Sequence, residues 1–157
     1  MFEISDFREQ QRFGATIADR VWNAWWRGAG HPLSRIADHM GEMADENPLP
    51  MALVAHDATG YLGSAFVIHS DMEERPQYSP WVAAVWVEAD KRGRGIGRAL
   101  VTEGARKAER LGFAEVYLCC RADMESFYAA IGWTILERGV GAKPLSVLKR
   151  DLAPSPS

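Results

Sequence analysis

Trp81-Val-Ala-Ala-Val-Trp-Val87 is apolar at every position, and Asp90-Lys-Arg-Gly-Arg-Gly-Ile-Gly97 follows it on the way into a helical pattern. A strand with no polar alternation is covered on both faces, so this run is expected near the centre of a sheet. After the glycines, Ile96, Leu100, Ala108 and Leu111 fall near one helical face, and Gly112 supplies the stop. Ala114–Cys120 reads as the next strand. Strand, helix and strand in that order imply parallel strands joined by a right-handed crossover.

The rest of the chain is read outward from this unit. Upstream, Met51–His56 and Tyr61–His69 read as strands joined by a hairpin turn at Asp57-Ala-Thr-Gly60. Asp71–Pro80 is polar, holds two prolines and reads as a loop. Near the N-terminus, Phe2–Ile4 is a short strand. Phe13, Ile17, Val21 and Trp25 then recur every four residues, predicting a helix over Asp6–Trp26 with Trp25 in the core. Gly28-Ala-Gly30 ends it. Leu33, Ile36, Met40 and Met43 mark a second amphipathic helix that stops near Asn47-Pro48, with Asp38, Glu42, Asp45 and Glu46 on its wet face. Downstream, Met124–Ile131 is a short helix, and Thr134–Glu137 with Leu145–Lys149 form a closing hairpin around Gly139-Val-Gly141. The order β-α-α-β-β-β-α-β-α-β-β describes one α/β domain over residues 1–152, with a flexible tail at 153–157.

Composition narrows the function classes. The 157 residues are 47% hydrophobic and 25% charged, ordinary for a globular protein. A net charge of −3 gives no global positive field, so nucleic acid is not an expected partner. The cysteines are Cys119 and Cys120, neighbours that point to opposite faces of a strand, so neither a disulfide framework nor a cysteine metal site is expected. The N-terminus lacks a signal-peptide pattern and the longest apolar run, Trp81–Val87, is too short to cross a bilayer. A cytoplasmic protein with no metal and no membrane partner is the expectation.

The chemistry sits in Arg92-Gly93-Arg94-Gly95-Ile96-Gly97-Arg98. The first turn of a helix has backbone N–H groups without helical partners, and the helix dipole adds positive charge there. Glycines let a phosphate approach the backbone closely, and three arginines add charge around it. The alternative is that glycines merely permit a tight turn. Three alternating glycines with three arginines, after a central strand, favour anion binding. It is not a P-loop, because no Gly-Lys-Ser/Thr follows. Nor is it a dinucleotide fingerprint, because the third glycine position falls on Leu100 or Arg98.

Val85-x-Val87 followed by Arg92-Gly-Arg-Gly-Ile-Gly97 resembles the acetyl-coenzyme A signature of the GNAT superfamily, Arg/Gln-x-x-Gly-x-Gly/Ala after the fourth strand. Phe127-Tyr128-Ala-Ala-Ile-Gly132-Trp133 resembles the family's Tyr-x-x-x-Gly-Phe segment, with Trp in place of Phe. The close resemblance spans Ser79–Trp133, and Ser79-Pro-Trp-Val-Ala83 is similar to a bacterial subgroup. It implies a sandwich with a mixed, mostly antiparallel sheet, a central splayed parallel pair and helices on both faces. It also implies an N-acetyltransferase with acetyl-coenzyme A as cosubstrate. The backbone of Arg92, Gly93, Arg94, Gly95, Ile96, Gly97 and Arg98 would hold the pyrophosphate. Val85, Trp86 and Val87 would pair with the pantetheine arm as an added strand does, and the Val87 N–H would face the oxyanion.

By the same resemblance Tyr128 is the general acid to the departing thiolate. The alternative is a core tyrosine whose hydroxyl reaches a backbone partner. The general base is unassigned: some relatives carry a glutamate within the fourth strand, whereas here Glu73, Glu74 and Glu88 lie outside it and read as solvated carboxylates. Many relatives have an asparagine after the fifth strand where this chain has Arg121-Ala-Asp-Met124. The acceptor would meet Trp25–His31 and Glu73–Tyr78, with Trp26 and His31 as pocket candidates. Three functions stay open: acetylation of a small-molecule primary amine, acetylation of a protein N-terminus or lysine, and a non-catalytic acyl-coenzyme A-binding module. The resemblance also allows a homodimer.

Overall fold

A computed structural model describes residues 1–153. Past Ala153 the expected tail lies outside the described residues. The strands are β1 (Glu3–Asp6), β2 (Met51–Asp57), β3 (Gly60–Ile68), β4 (Trp81–Val87), β5 (Glu115–Cys120), β6 (Thr134–Val140) and β7 (Leu145–Asp151). They form one mixed sheet in the order β1-β2-β3-β4-β5-β7-β6. The helices are α1 (Gly14–Val21), α2 (Leu33–Ala44), α3 (Ile96–Arg110) and α4 (Glu125–Ala129). This is the expected α/β fold, with β4 and β5 as its parallel pair. The chain gathers into two compact units, Met1–Phe66 with Ala84–Glu103, and Val67–Ala83 with the chain from Gly104 onward.

In the first unit, β1 runs antiparallel to β2, from Glu3↔His56 to Asp6↔Leu53. Ile17, Val21, Ile36, Leu53 and Val54 are fully buried. The helix predicted over Asp6–Trp26 is broken into pieces. The Asp6 carboxylate accepts the Arg8 N–H at 2.9 Å and starts a separate 3₁₀ turn, Phe7–Glu9. Gln10, at φ −136° and ψ 47°, then leaves helical space. The α-helix proper begins only at Gly14, where a Cβ would stand 3.1 Å from the Phe7 ring. At its far end Trp22–Trp26 is a π turn, closed by the Arg27 N–H on the Trp22 carbonyl at 2.7 Å. A π turn takes more residues per revolution than an α-helix, so the four-residue stripe loses its bearing. Trp25 is therefore 45% exposed rather than in the core.

Gly63 marks a close approach of β3 to β4. A Cβ there would meet the Trp86 carbonyl oxygen at 2.5 Å and the Val87 Cα at 3.3 Å. Both are backbone atoms, so no side-chain movement relieves the clash. Gly63→Ala is expected to lower stability by about 1–3 kcal/mol, the usual cost of overpacking, and to disturb β4 itself. Thermal melting checks the first effect and acetyl-coenzyme A titration the second.

In the second unit, β4 and β5 pair at Trp81↔Tyr117, and the Tyr117 N–H donates to the Pro80 carbonyl at 3.0 Å. β5 and β7 are antiparallel, as are β7 and β6. Met72, Trp81, Tyr117, Val140 and Val147 form the local core. Trp81, Val82 and Ala83 are buried, but residues 84–87 are only half-buried, so β4 is not covered along its whole length as its composition suggests. The change falls at Ala84, which adopts φ +52°, a left-handed conformation that breaks the pleat. The closing hairpin also differs. β6 runs through Gly139 to Val140, and the turn is at residues 141–144. Gly139, at φ +67°, sits where the β6–β7 register shifts, as a bulge glycine does. Cys119 is half-buried, Cys120 is buried, and both are free thiols.

Candidate functional site

β4 ends at Val87, and a 3₁₀ turn, Ala89–Lys91, leads into the glycine-rich segment. Gly93 and Gly95 adopt φ +80° and +81°, and a Cβ on either would meet no atom within 4 Å. Here glycine is required by conformation, and the outside of the turn is bare. The Gly95 carbonyl accepts the Ala99 N–H at 3.0 Å, closing the first turn of α3. The amides of Ile96, Gly97 and Arg98 precede that bond and have no helical partner. Ile96 is 2% exposed and anchors the turn from below. The Arg94 and Arg98 side chains are exposed. Left-handed glycine followed by a right-handed helix is a nest of amides, and α3 adds its dipole over 15 residues. These groups fit a diphosphate.

Arg92 is placed differently from the other arginines. Its Nε donates to the Val87 carbonyl at 3.0 Å, and its Cζ lies 4.9 Å from the Trp86 ring centroid. The direction of that carbonyl follows from its neighbour. The Glu88 N–H donates to Leu62 in β3 at 2.9 Å. Across a trans peptide, C=O and N–H point oppositely, so the Val87 carbonyl faces the β4 edge away from β3.

Glu88 is not the solvated carboxylate its sequence suggests. It accepts Arg20 Nε at 2.7 Å, Arg20 Nη2 at 3.3 Å and the Trp86 indole N–H at 3.1 Å. Burial raises its pKa, but the hydrogen bonds from Arg20 and Trp86 outweigh that and hold the carboxyl below its usual range. A carboxylate so engaged is a poor base at neutral pH. A depressed folded-state pKa contributes stability above the unfolded value of about 4.3, and loses it as pH falls through the folded value. The difference in melting temperature between the native chain and Glu88→Gln should therefore be largest near pH 7 and shrink below pH ~4. A difference independent of pH would show that the ion pair contributes nothing.

Trp25 meets Trp86 edge-on, with centroids 6.4 Å apart at 87°. The half-buried Trp26 is flanked edge-on by His31 at 5.7 Å and His39 at 5.2 Å, and the Arg35 guanidinium lies 5.9 Å from its centroid. The Trp22 indole N–H donates to the His31 carbonyl at 2.7 Å, fixing the linker between α1 and α2. The two acceptor-side candidates thus stand together, and His39 joins them. His39 lies on α2 among polar residues, and nothing in its local pattern signals the contact with Trp26.

Tyr128 lies in the second unit, on α4, and is 8% exposed. Among the described residues no group hydrogen-bonds its hydroxyl, so the backbone partner of the alternative reading is not what the fold provides. Burial first, then the Cys120 and Cys119 thiols, push its pKa up to about 12. The phenol is protonated at neutral pH. The Trp133 N–H donates to the Tyr128 carbonyl at 3.1 Å, across Gly132 at φ +103°. The family-like segment therefore forms one closed turn. In place of Phe, Trp133 is 3% exposed, and its indole N–H has no partner among the described residues.

The 71–80 loop in the same unit is clamped. Arg75 grips Glu137 with Nε at 2.9 Å and Nη2 at 2.7 Å, and the Tyr78 hydroxyl donates to the same carboxylate at 2.7 Å. Tyr78 stacks on Tyr117 at 4.6 Å and 6°, and the Trp81 indole N–H donates to the Tyr78 carbonyl at 2.7 Å. Arg75 and Tyr78 together hold the Glu137 carboxyl down to about 2. Glu73 and Glu74 are exposed. Among the described residues, no group of His, Cys, Asp or Glu is arranged to hold a metal ion, and no helix is long and apolar enough to cross a membrane.

The bare-amide turn that leads from β4 into α3 carries the groups that an anion-binding turn uses, and the class, an acyltransferase, follows from the family to which the sequence belongs. Residues 18–133 match the Acetyltransferase (GNAT) family, and the chain belongs to it. Its cosubstrate is acetyl-coenzyme A. No curated protein sequence matches the chain. Among solved structures it is similar to an aminoglycoside 6'-N-acetyltransferase complexed with coenzyme A, at 19% identity and a TM-score of 0.74 over 99% of each chain. A GNAT-family acetyltransferase from Streptococcus pneumoniae matches at 12% identity and a TM-score of 0.73, over 98% of this chain and 100% of that one. The aminoglycoside 6'-N-acetyltransferase from Enterococcus faecium matches at 19% identity and 0.70, over 99% of each. At these identities the likeness is one of fold.

Proposed function

We propose that this protein transfers the acetyl group of acetyl-coenzyme A to a primary amine of a small molecule by direct attack of the amine on the thioester. The observation that carries the reading is the pair of left-handed, uncovered glycines, Gly93 and Gly95, ahead of the unpaired amides of Ile96, Gly97 and Arg98. These amides, with Arg94 and Arg98, hold the diphosphate. Val85 and Val87 pair with the pantetheine arm through their backbones, and the Val87 N–H donates to the thioester oxygen as charge builds there. Acetyl-coenzyme A supplies the activated acyl group. Tyr128 donates its proton to the departing thiolate.

The amine must arrive neutral, since an alkylammonium with a pKa near ~10.4 has no free lone pair. Glu88 is committed to Arg20 and Trp86, so no carboxylate is assigned to remove the proton. Three of the similar structures are aminoglycoside acetyltransferases, which favours a small polyamine-like acceptor over a peptide. A thiol-release assay with acetyl-coenzyme A against aminoglycosides, aliphatic polyamines and short peptides tests this. Turnover on amines of the first two groups is expected. Turnover confined to peptide N-termini or lysines would overturn the acceptor class, and turnover on none would overturn the reaction.

A further inference from the structure

We propose that Arg92 makes the donor site selective for thioesters that carry a diphosphate, by covering the Val87 carbonyl until an anion draws its guanidinium away. The inference rests on the reading that residues 92–98 hold the diphosphate, and adds to it a function for the arginine that does not point there.

The Val87 carbonyl lies on the β4 edge away from β3, the edge an added strand must use. An extended arm pairing with β4 would meet the Arg92 guanidinium at that carbonyl, where its Nε already donates at 3.0 Å. The guanidinium is held there by more than one bond. Its Cζ lies 4.9 Å from the Trp86 ring centroid, and Glu88 is within electrostatic reach. Trp86 is in turn fixed, since its indole N–H donates to Glu88 at 3.1 Å and its ring meets Trp25 edge-on. Arg92 thus rests on a platform built from α1, the π turn and the end of β4.

The hold is weak enough to be displaced. An exposed cation–π contact with one hydrogen bond to a neutral carbonyl gives up readily to a charge-assisted pair with a phosphate, which is roughly twice as strong as a neutral one. Gly93 is the next residue, so the arginine lies within a side chain's length of the amides of α3. A diphosphate at the cradle offers Arg92 a better partner and frees the edge in the same event. A pantetheine thioester without phosphate offers no such partner and must compete for the carbonyl.

The test compares acetyl-coenzyme A with S-acetylpantetheine, measuring Kd for each on the native chain, Arg92→Ala and Arg92→Lys. With Arg92→Ala, acetyl-coenzyme A should bind about ten-fold more weakly, while S-acetylpantetheine binds about five- to ten-fold more tightly. Arg92→Lys keeps the charge but loses the planar fork. It should retain acetyl-coenzyme A affinity within a few-fold and still tighten S-acetylpantetheine. Opposite signs for the two ligands are the signature, and a merely structural arginine would move both the same way. If S-acetylpantetheine binds the variants no better than the native chain, including not at all, the cover is not there. If the native chain fails to bind acetyl-coenzyme A, the underlying reading fails first, and the two failures are told apart.

Discussion

Gly95→Val abolishes measurable acetyl-coenzyme A binding while the melting temperature falls by no more than about 8 °C. The two halves of this expectation have separate causes. Gly95 holds φ +81°, and a Cβ there meets no atom within 4 Å, so valine introduces no clash and disturbs no packing. What it costs in the folded state is conformational, about 1–2 kcal/mol for an L-residue in the left-handed region. For a chain of this size that is about 2–4 °C per kcal/mol. The ligand loses far more. If the turn keeps its shape, an isopropyl group stands in the bare space where the phosphate must approach. If the turn relaxes to negative φ, the amide leading into α3 points elsewhere. Gly28→Ala is the control, since nothing lies within 4 Å of its Cβ position and no left-handed angle is required; both stability and affinity should stay put. Calorimetric titration and thermal melting on the three proteins decide the matter.

Tyr128→Phe lowers the rate of acetyl transfer by about 100-fold and leaves both acetyl-coenzyme A affinity and melting temperature unchanged. General acids contribute roughly 10²–10⁴ to rate. The lower end is expected here, because burial lifts this phenol to about 12 and makes it a reluctant donor at neutral pH. Stability is unaffected because no hydrogen bond is broken, the hydroxyl having no partner among the described residues. The pH profile gives a second check: any loss of rate from ionisation of Tyr128 should appear near 12, above the ordinary tyrosine value of about 10. Turnover unchanged in the variant at saturating cosubstrate would remove Tyr128 from the mechanism.

Much of the fold is legible in local pattern. Trp81–Val87 announces a sheet strand by being apolar throughout, and the left-handed glycines announce the turn because few other residues tolerate it. The parallel β4–β5 pair follows from the helix between them. The errors share a cause as well. The four-residue stripe from Phe13 to Trp25 cannot reveal that Asp6 caps a separate turn or that Trp22 closes a π turn, since one depends on a side-chain hydrogen bond and the other on a change of pitch. Gly139 looks like a turn glycine because bulge and turn both need positive φ. The clamps escape sequence entirely: Arg20 and Glu88 are 68 positions apart, Arg75 and Glu137 62 apart, and nothing in either neighbourhood names the partner. Arg92 is the most instructive case. Its position in the motif suggests a phosphate ligand, whereas in the fold its side chain turns onto Trp86 and the Val87 carbonyl.

A diphosphate is expected to seat on the main-chain amides where β4 gives way to α3. Isothermal titration of acetyl-coenzyme A into the folded protein tests it most directly. One ligand per chain is predicted, with a Kd between about 1 µM and 1 mM, weakened by added inorganic diphosphate competing for the same amides. No heat across that concentration range, from protein shown to be folded, would contradict it.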